Sequence, residues 1–365
     1  MKTFEKKIRQ SASQHLDGKP AVTQGHVGWE SPSNIAIVKY WGKYPGQVPA
    51  NASLSMTLRE SVTRTMMDFY FSEKRKKPGV DFEFHGAAHQ GFARRIEKYL
   101  TGLSGFMPWI SHTKFTIRSE NTFPHSSGIA SSASAMSALA ACLCEIDEQM
   151  FGKDPAIEFE QKASFFARLG SGSAARSIYG RMAEWGITAS CGDSSDEYAI
   201  PLPELHPDFF GLKDSILIIT TGEKEVSSSL GHDLMRSNPY AKLRFEAAEE
   251  NMQRLCNVMR NGDLGQFIDI MENEALSLHA MMMTSSPGYL LMKPGTLEAI
   301  SRIRKFRAQT GLAIGFTLDA GANVHIIYPG QQEAAITNFI ASDLEELCEE
   351  KTIIHDGMGM GPRKL

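Results

Sequence analysis

Pro124-His-Ser-Ser-Gly128-Ile-Ala-Ser131-Ser132-Ala133 is the stretch that says most about the fold and the chemistry of this chain. It places a glycine and several small hydroxyl side chains directly before an alanine-rich run with the composition of a buried helix. The first N–H groups of a helix have no partner within the helix, and the helix dipole adds partial positive charge there. A polyanion can bind at such an end when no large side chain blocks its approach. The stretch therefore predicts a phosphate-binding site.

A second segment of the same kind is Gly170-Ser171-Gly-Ser173-Ala-Ala-Arg176. It also opens with glycines and serines, and we predict that it begins another helix. Arg176 falls one turn into that helix, where its planar guanidinium could bind a phosphate or a carboxylate. A capped helix with a solvated arginine is the alternative. Two segments of this kind indicate two anionic groups or one long one.

The stretch Asn34-Ile-Ala-Ile-Val-Lys39 is typical of a buried strand that ends in a cation, and Tyr40-Trp-Gly-Lys43 follows it. Because side chains alternate along a strand, Lys39 and Tyr40 point to opposite faces. Strand ends of this kind often contribute ligand-binding side chains. Two surface lysines beside a core tryptophan are the alternative interpretation.

A fourth segment, Asp319-Ala320-Gly-Ala-Asn323, joins two predicted strands with small residues. An aspartate at such a strand end is open to a ligand and could take a proton from a substrate hydroxyl. A turn aspartate that binds its own backbone is the alternative.

Apolar patterns and capping residues predict strands and helices that alternate along the whole chain, which favours an α+β or α/β architecture. We expect two domains, over residues 29–200 and 201–365, after a polar N-terminal extension at 1–28. The linker candidate is 192–208. Helices are predicted over residues 90–100, 130–146, 155–169, 239–260, 264–282, 294–310 and 332–349. Strands are predicted over residues 34–39, 65–71, 113–118, 215–221, 313–319, 323–328 and 352–354.

Composition narrows the class of protein. Apolar residues make up 42% of the chain, charged residues 22%, and the formal net charge is −4, which gives no sign of a nucleic-acid or acidic-membrane partner. No apolar run approaches the roughly 20 residues of a membrane span, and the polar N-terminus lacks a signal-peptide core. The five cysteines are scattered, which indicates reduced thiols. We therefore expect a cytoplasmic metabolic protein without a protein-held zinc site.

The four segments together supply two phosphate-binding loops, two lysines, an arginine and an aspartate. These are the groups that transfer of a phosphoryl group from a nucleotide requires, because the protein positions the donor, neutralises charge and orients the acceptor hydroxyl. Mg²⁺ in such sites is held mainly by phosphate oxygens.

The first segment, Pro124-x-x-x-Gly128-Ile-x-Ser131-Ser132-Ala133, resembles the phosphate loop of the GHMP kinases. The other three segments, with Val226-Ser227-Ser228, resemble signatures of the diphosphomevalonate decarboxylase family within that superfamily. The similarity runs in the same order from about residue 31 to about residue 328.

This resemblance implies an N-terminal domain like ribosomal protein S5 domain 2 and a ferredoxin-like C-terminal domain. It implies ATP and Mg²⁺ as cofactors, mevalonate 5-diphosphate as substrate, and a homodimer. The 3-hydroxyl would be phosphorylated, phosphate would leave, and loss of CO₂ would give isopentenyl diphosphate.

The resemblance also implies roles for individual residues. Asp319 would orient or deprotonate the 3-hydroxyl, and Lys39 would neutralise charge at the reacting centre. The substrate would be bound by Tyr40, Lys43, Ser171, Ser173, Arg176 and Ala320. The ATP phosphates would be bound by Ser126, Ser127, Gly128, Ala130, Ser131 and Ser132, with Ser227 and Ser228 on a closing loop. Mg²⁺ would arrive with ATP, with Ser132 as a candidate protein ligand.

The sequence departs from the family pattern at several positions. Ala322 stands where the family has proline, His125 replaces a smaller residue, and the segment His279–Pro287 lacks the family's aspartate. An arginine that the family uses for the diphosphate, in the strand region after residue 60, has no clear counterpart. A GHMP enzyme acting on mevalonate or its monophosphate therefore stays an alternative. A non-catalytic ligand-binding protein is a remoter one, because both Asp319 and Arg176 are present.

Overall fold

A computed structural model describes residues 3–16, 19–124, 129–189, 193–222 and 228–365. Within these residues the chain is a mixed arrangement of helices and sheets. The strands are β1 (Gln24–Val38), β2 (Lys43–Tyr44), β3 (Val48–Pro49), β4 (Ser53–Phe71), β5 (Gly79–Phe84), β6 (Ala87–Ala88), β7 (Thr113–Asn121), β8 (Met182–Trp185), β9 (Ile200–Pro201), β10 (Leu212–Leu217), β11 (Gly315–Leu318), β12 (Val324–Pro329), β13 (Ile353–Gly357) and β14 (Arg363–Lys364). The α-helices are α1 (Thr3–Leu16), α2 (Gln90–Leu103), α3 (Ser131–Phe151), α4 (Phe159–Gly170), α5 (Ser228–Leu234), α6 (Ala241–Asn261), α7 (Leu264–Met283), α8 (Pro294–Thr310) and α9 (Glu333–Phe339).

The larger sheet is built on the long antiparallel pair β1 and β4, in the order β14-β1-β4-β7-β5-β6. Strand β8 pairs with the first half of β4, and β9 pairs with β8. In the second half of β4, Thr63, Thr65, Met67 and Phe69 are buried at every second position. This period of two places them on one face. Helix α3 packs on β1 and β4 and completes the core on this side.

The smaller sheet has the order β11-β12-β10-β13 and is antiparallel. Helix α7 packs on β11, and the apolar side chains of β10, β11 and β12 are almost completely buried. The turn between β11 and β12 carries Asp319. Helix α7 also contacts β1, so that this turn comes close to the end of β1.

The C-terminal segment connects the two sheets. Strand β14 returns to the larger sheet and pairs with Trp29 and Glu30 of β1. The carboxylate of Asp356 accepts hydrogen bonds from the N–H groups of Arg59, Glu60 and Ser61, at 2.8 to 2.9 Å. These contacts satisfy donors where β4 bends, and they fix the relative position of the two sheets.

The structure confirms the mixed fold class, and α8 has the predicted bounds. The segment after Gly170 begins a helix as predicted, and this helix, Gly172–Ile178, is of the 3₁₀ type. Two predictions are wrong in detail. The segment 1–28 is not a polar extension, because Phe4, Ile8 and Ala12 of α1 are buried and β1 begins at Gln24. The predicted helix 332–349 breaks after α9 into π and 3₁₀ turns.

The predicted domain boundary stays a prediction, and residue 192, the first of the predicted linker, lies outside the described ranges. Among the described residues, no helix combines the length and the apolar character that a membrane span needs.

Candidate active site

Residues from all four segments line one cavity of about 1110 Å³. The strand end after β1, the start of α3, the 3₁₀ helix after Gly170 and the β11–β12 turn each contribute to its wall. The predicted site residues that line it are Lys39, Tyr40, Lys43, Ala130, Ser131, Ser132, Ser171, Ser173, Arg176 and Asp319. The fold thus brings together side chains that are far apart in the chain.

The other predicted site residues have different places. Ala320 is 4% exposed and packs in a cluster with Trp41 and Leu278, and it is not among the described residues that line the cavity. Its side chain packs in this cluster, and its predicted substrate contact stays a prediction. Ser228 is the first residue of α5, and its side chain is not described. Ser126, Ser127, Gly128 and Ser227 lie outside the described residues.

The two glycine–serine segments meet in the cavity. The hydroxyl oxygens of Ser132 and Ser171 lie 3.3 Å apart, and those of Ser171 and Ser173 lie 3.5 Å apart. Helix α3 begins after Ala130, whose φ of 45° is left-handed and unusual for a residue with a side chain. This row of hydroxyls leads from the N-terminus of α3 to the 3₁₀ helix and is suited to phosphate oxygens.

Glycine is required at position 172, because two aromatic side chains lie close to its Cα atom. A Cβ atom at this position would lie 2.7 Å from the hydroxyl oxygen of Tyr40 and 2.9 Å from the ring of Trp185. The hydroxyl of Tyr40 is buried and has no hydrogen-bond partner within the described part of the chain. Burial raises its pKa, so that Tyr40 is an O–H donor at the cavity wall.

Lys39 is 1% exposed, and burial lowers its pKa to about 8 although Asp319 and Glu274 act in the opposite direction. Its Nζ atom donates to the carbonyl oxygen of Ala36 at 2.6 Å. The carboxylate of Glu274 accepts the backbone N–H of Lys39 at 2.9 Å and also binds Arg244 at 2.6 Å. Two register shifts in the pairing of β1 with β4, at Pro32/Asn34 and at Ala36/Val38, precede this strand end. The lysine is therefore held rigidly in a buried position.

Arg176 is also 1% exposed. Its Nε donates to the hydroxyl of Ser55, and its Nη1 donates to the hydroxyl of Ser53, each at 2.5 Å. Burial lowers its pKa to about 10, and it remains a cation at neutral pH. The two serines of β4 fix the plane of the guanidinium, so that Arg176 presents a fixed positive charge to the cavity.

Asp319 is held through its backbone. Its carbonyl oxygen accepts the N–H of Gly321 at 2.8 Å and the Nε2–H of His279 at 3.1 Å. Burial lowers the pKa of His279 to about 4, which keeps this histidine neutral. The carboxylate interacts electrostatically with Lys39 and Arg176. One acidic group from the β11–β12 turn thus shares a cavity with two buried cations, Lys39 directly after β1 and Arg176 in the 3₁₀ helix.

Sequence reasoning missed two parts of the site. His232 of α5 lines the cavity and contacts Tyr40 and Trp41, although an isolated histidine in a short helix gives no signal in the sequence. An apolar arm also escaped notice, because its residues read as ordinary amphipathic core positions. Its side chains from β5 and α2 are Phe82, Phe84, Phe92, Ile96 and Tyr99.

The fold and this cavity define a two-domain protein of the GHMP type. The model of the diphosphomevalonate decarboxylase-like N-terminal domain matches residues 31–198, and that of the mevalonate 5-diphosphate decarboxylase C-terminal domain matches residues 215–362. The diphosphomevalonate decarboxylase of Saccharomyces cerevisiae is 28% identical over 327 residues, which cover 85% of this chain and 79% of the relative.

Solved structures of mevalonate diphosphate decarboxylases are also similar to this chain. The mevalonate diphosphate decarboxylase of Staphylococcus aureus superposes with a TM-score of 0.79 at 27% identity, covering 94% of this chain and 98% of that one. A structure of MDDEF in complex with MVAPP, AMPPCP and magnesium has a TM-score of 0.78 at 25% identity, covering 94% and 99%. The chain belongs to the diphosphomevalonate decarboxylase family. The predicted family, fold class and enzyme class are confirmed.

Proposed function

We propose that the protein converts mevalonate 5-diphosphate and ATP to isopentenyl diphosphate, ADP, phosphate and CO₂, by transient phosphorylation of the 3-hydroxyl. One observation carries the proposal. The carboxylate of Asp319 shares a single cavity with the serine segments of α3 and the 3₁₀ helix and with the buried cations Lys39 and Arg176. A base, a phosphate cradle and fixed positive charge are the parts that phosphoryl transfer to an alcohol requires.

In the first step the 3-hydroxyl oxygen attacks the terminal phosphorus of ATP. Asp319 orients the hydroxyl and takes its proton, and the bond from this phosphorus to the oxygen of ADP breaks. The backbone contacts of Asp319 with His279 and Gly321 hold the carboxylate in place for this transfer. Negative charge that develops on the phosphoryl oxygens is stabilised by Lys39 in a water-poor environment, where electrostatic interactions are strong.

In the second step the bond between C3 and the phosphorylated oxygen breaks, and phosphate leaves. The electron pair of the bond to the carboxylate carbon then forms the double bond, and CO₂ is released. Arg176 would hold the departing carboxylate in the orientation that this elimination needs, because Ser53 and Ser55 fix its guanidinium plane. Positive charge at C3 is tolerable beside the fixed carboxylate of Asp319.

ATP would lie with its phosphates along Ser131 and Ser132, and with its base in the apolar arm formed by β5 and α2. Aromatic side chains beside a hydroxyl-lined phosphate site fit a planar base joined to a polyanion. Mg²⁺ would bind mainly to phosphate oxygens and would neutralise their charge. The Ser132 hydroxyl is exposed at the cavity and is the hard oxygen ligand that such an ion prefers.

A panel assay tests the proposal. ADP, phosphate and CO₂ are measured together with mevalonate, its 5-phosphate and its 5-diphosphate as substrates. We expect equal amounts of all three products, with the diphosphate as the preferred substrate. ADP without CO₂ would identify a kinase instead, and no ADP with any substrate would indicate a non-catalytic binding protein.

We also propose a cytoplasmic location and a homodimer. The four cysteines in the described ranges are buried free thiols, which fits a reducing compartment. The dimer rests on the family resemblance alone, and light scattering of the purified protein tests it. A mass of one chain, 40.3 kDa, would contradict it.

A further inference from the structure

His232 is a buried histidine at the cavity wall that the proposed reaction does not use. It is 6% exposed, and its ring lies against Tyr40 and Trp41, with ring centroids 4.3 Å and 4.9 Å away. The preceding Gly231 allows this contact, because a Cβ there would lie 2.5 Å from the ring of Trp41. The imidazole is therefore fixed in position between α5 and the segment that follows β1.

The hydrogen bonding of His232 determines where its proton lies. Its Nδ1 atom accepts the backbone N–H of Gly42 at 2.9 Å. A ring nitrogen that accepts a hydrogen bond carries no hydrogen, so that the neutral ring has its proton on Nε2. Burial lowers the pKa of this histidine to about 3, and the neighbouring charge of Lys43 acts in the same direction. The side chain is thus an uncharged N–H donor at neutral pH.

The neighbours of His232 indicate which end of the substrate it faces. After burial, Lys43 has the largest electrostatic effect on this histidine, followed by Asp319 and Arg176. Lys43 is half-buried and interacts with Asp233 and Arg236. His232 lines the same cavity as Lys43 and Asp319. Its ring is bonded to the N–H of Gly42, the residue directly before Lys43, which places it at the Lys43 side of the site. Mevalonate 5-diphosphate carries its carboxylate and its diphosphate on opposite sides of the 3-hydroxyl.

We propose that the Nε2–H of His232 donates a hydrogen bond to the diphosphate of the substrate, next to Lys43, and so contributes to selection of a phosphorylated substrate. The proposal rests on the function proposed above. A neutral donor suits this place, because Lys39, Lys43 and Arg176 already supply positive charge and a further buried cation would be costly.

The test uses two matched variants of the full-length protein. His232→Asn keeps a group at the position of Nδ1, which can accept the Gly42 N–H, but has nothing at the position of Nε2. His232→Gln places an amide N–H close to the position of Nε2. Calorimetry measures the binding of mevalonate 5-diphosphate and of unphosphorylated mevalonate to both variants and to the wild-type protein, without ATP.

We expect His232→Asn to weaken binding of the diphosphate by about tenfold or more, the usual effect of losing a hydrogen bond to a charged group. His232→Gln should stay within about threefold of wild type, and binding of mevalonate should not change in either variant. Normal diphosphate binding by His232→Asn would overturn the proposal. Equal losses in both variants, or an equal loss for mevalonate, would show a purely structural role and would also overturn it.

Two further measurements keep the outcome decisive. Thermal unfolding shows whether each variant is folded. If His232→Asn is not folded, the ¹⁵N-labelled wild-type protein is used instead. Its His232 Nε2 resonance should shift on addition of mevalonate 5-diphosphate but not of mevalonate. An unchanged resonance would contradict the contact. Wild-type protein that binds the diphosphate but releases no CO₂ with ATP would contradict the proposed function alone.

Discussion

The two ends of the cavity present opposite kinds of group to an anion. At the serine end, Ser131, Ser132 and Ser171 offer uncharged hydroxyls and a helix N-terminus, partly open to solvent. At the reacting centre, Lys39 and Arg176 are full charges that are almost completely buried. Hydroxyls and backbone dipoles have a small desolvation penalty, but each attracts an anion only weakly. A buried charge attracts an anion strongly but costs several kcal/mol to desolvate.

The difference explains how each end is built. The serine end needs only small residues in the right local order. The charged centre needs support from the rest of the fold, because an unpaired buried charge is destabilising. Glu274 and Arg244 of the C-terminal half hold the backbone at Lys39, and two serines of β4 hold Arg176. The serine end is thus built largely from local sequence, whereas the charged centre depends on contacts between distant parts of the chain.

The largest effect on turnover is expected from replacing the carboxylate of Asp319. Asp319→Asn keeps the size of the side chain but removes the base, so we expect kcat to fall by about 10²–10⁴-fold, the usual contribution of a general base. The affinity for ATP should stay within about threefold, since the serine end is intact. Single-turnover kinetics and nucleotide binding measure the two effects, with the exposed Asp269→Asn as control. Retained turnover would show that Asp319 is not the base.

Arg176→Ala should have the next largest effect. Loss of a fixed charge at the reacting centre is expected to cost on the order of 3 kcal/mol in transition-state stabilisation, or about 100-fold in kcat/KM. The variant also leaves the hydroxyls of Ser53 and Ser55 without their donor, so the protein should unfold at a lower temperature. Arg94→Ala, an exposed position on α2, is the control. A near-normal rate at saturating substrate would remove Arg176 from the catalytic machinery.

A change of pH is expected to have a smaller effect on the reaction rate. Because burial lowers the pKa of Lys39 to about 8, the ammonium group loses its proton as pH rises through that value. We expect kcat/KM to fall up to about tenfold per pH unit above 8, which rate measurements from pH 6 to 10 would show. The guanidinium of Lys39→Arg stays protonated, so any activity of that variant should lack this limb. A flat wild-type profile would mean that the charge of Lys39 is not needed.

The same lowered pKa affects stability with a defined sign. A lysine whose folded pKa lies below its ordinary value of 10.5 binds fewer protons in the folded than in the unfolded protein between pH 8 and 10.5. Its contribution to the free energy of unfolding therefore rises with pH across that window. Replacement by methionine should remove this rise, as chemical denaturation at pH 8 and pH 10 would detect.

The smallest effect is expected at the serine end. Ser132→Ala removes one uncharged hydroxyl, so the affinity for ATP should fall by about fivefold or less, corresponding to about 1 kcal/mol. A double-mutant cycle with Ser171→Ala measures the coupling of the two hydroxyls that lie 3.3 Å apart. A loss of 100-fold or more for Ser132→Ala would contradict the difference between the two ends of the cavity. It would place the Ser132 hydroxyl in the catalytic machinery rather than in binding alone.

Local sequence signals predicted the parts of the fold with strong periodicity or caps. Helix α8 begins with Pro294 and ends before Gly311, and the structure gives it the bounds expected from the sequence. The first half of β4 was missed, since Ser53 to Leu58 is buried on both faces and shows no alternation. The role of α1 was missed as well, because its three buried apolar residues are isolated among polar ones.

The sequence by itself determined the chemistry that is available: two serine segments, the cations Lys39 and Arg176, and a carboxylate in a small-residue turn. These groups can be recognised from the residue types and from their order along the chain. Only the tertiary structure decided which of them meet and in what state. The apposition of Asp319 to the cations, the lowered pKa of Lys39 and the fixed tautomer of His232 arise from contacts between distant parts of the chain. The surroundings of a single charged side chain depend on the whole fold, so its pKa and its partners cannot be derived from the local sequence.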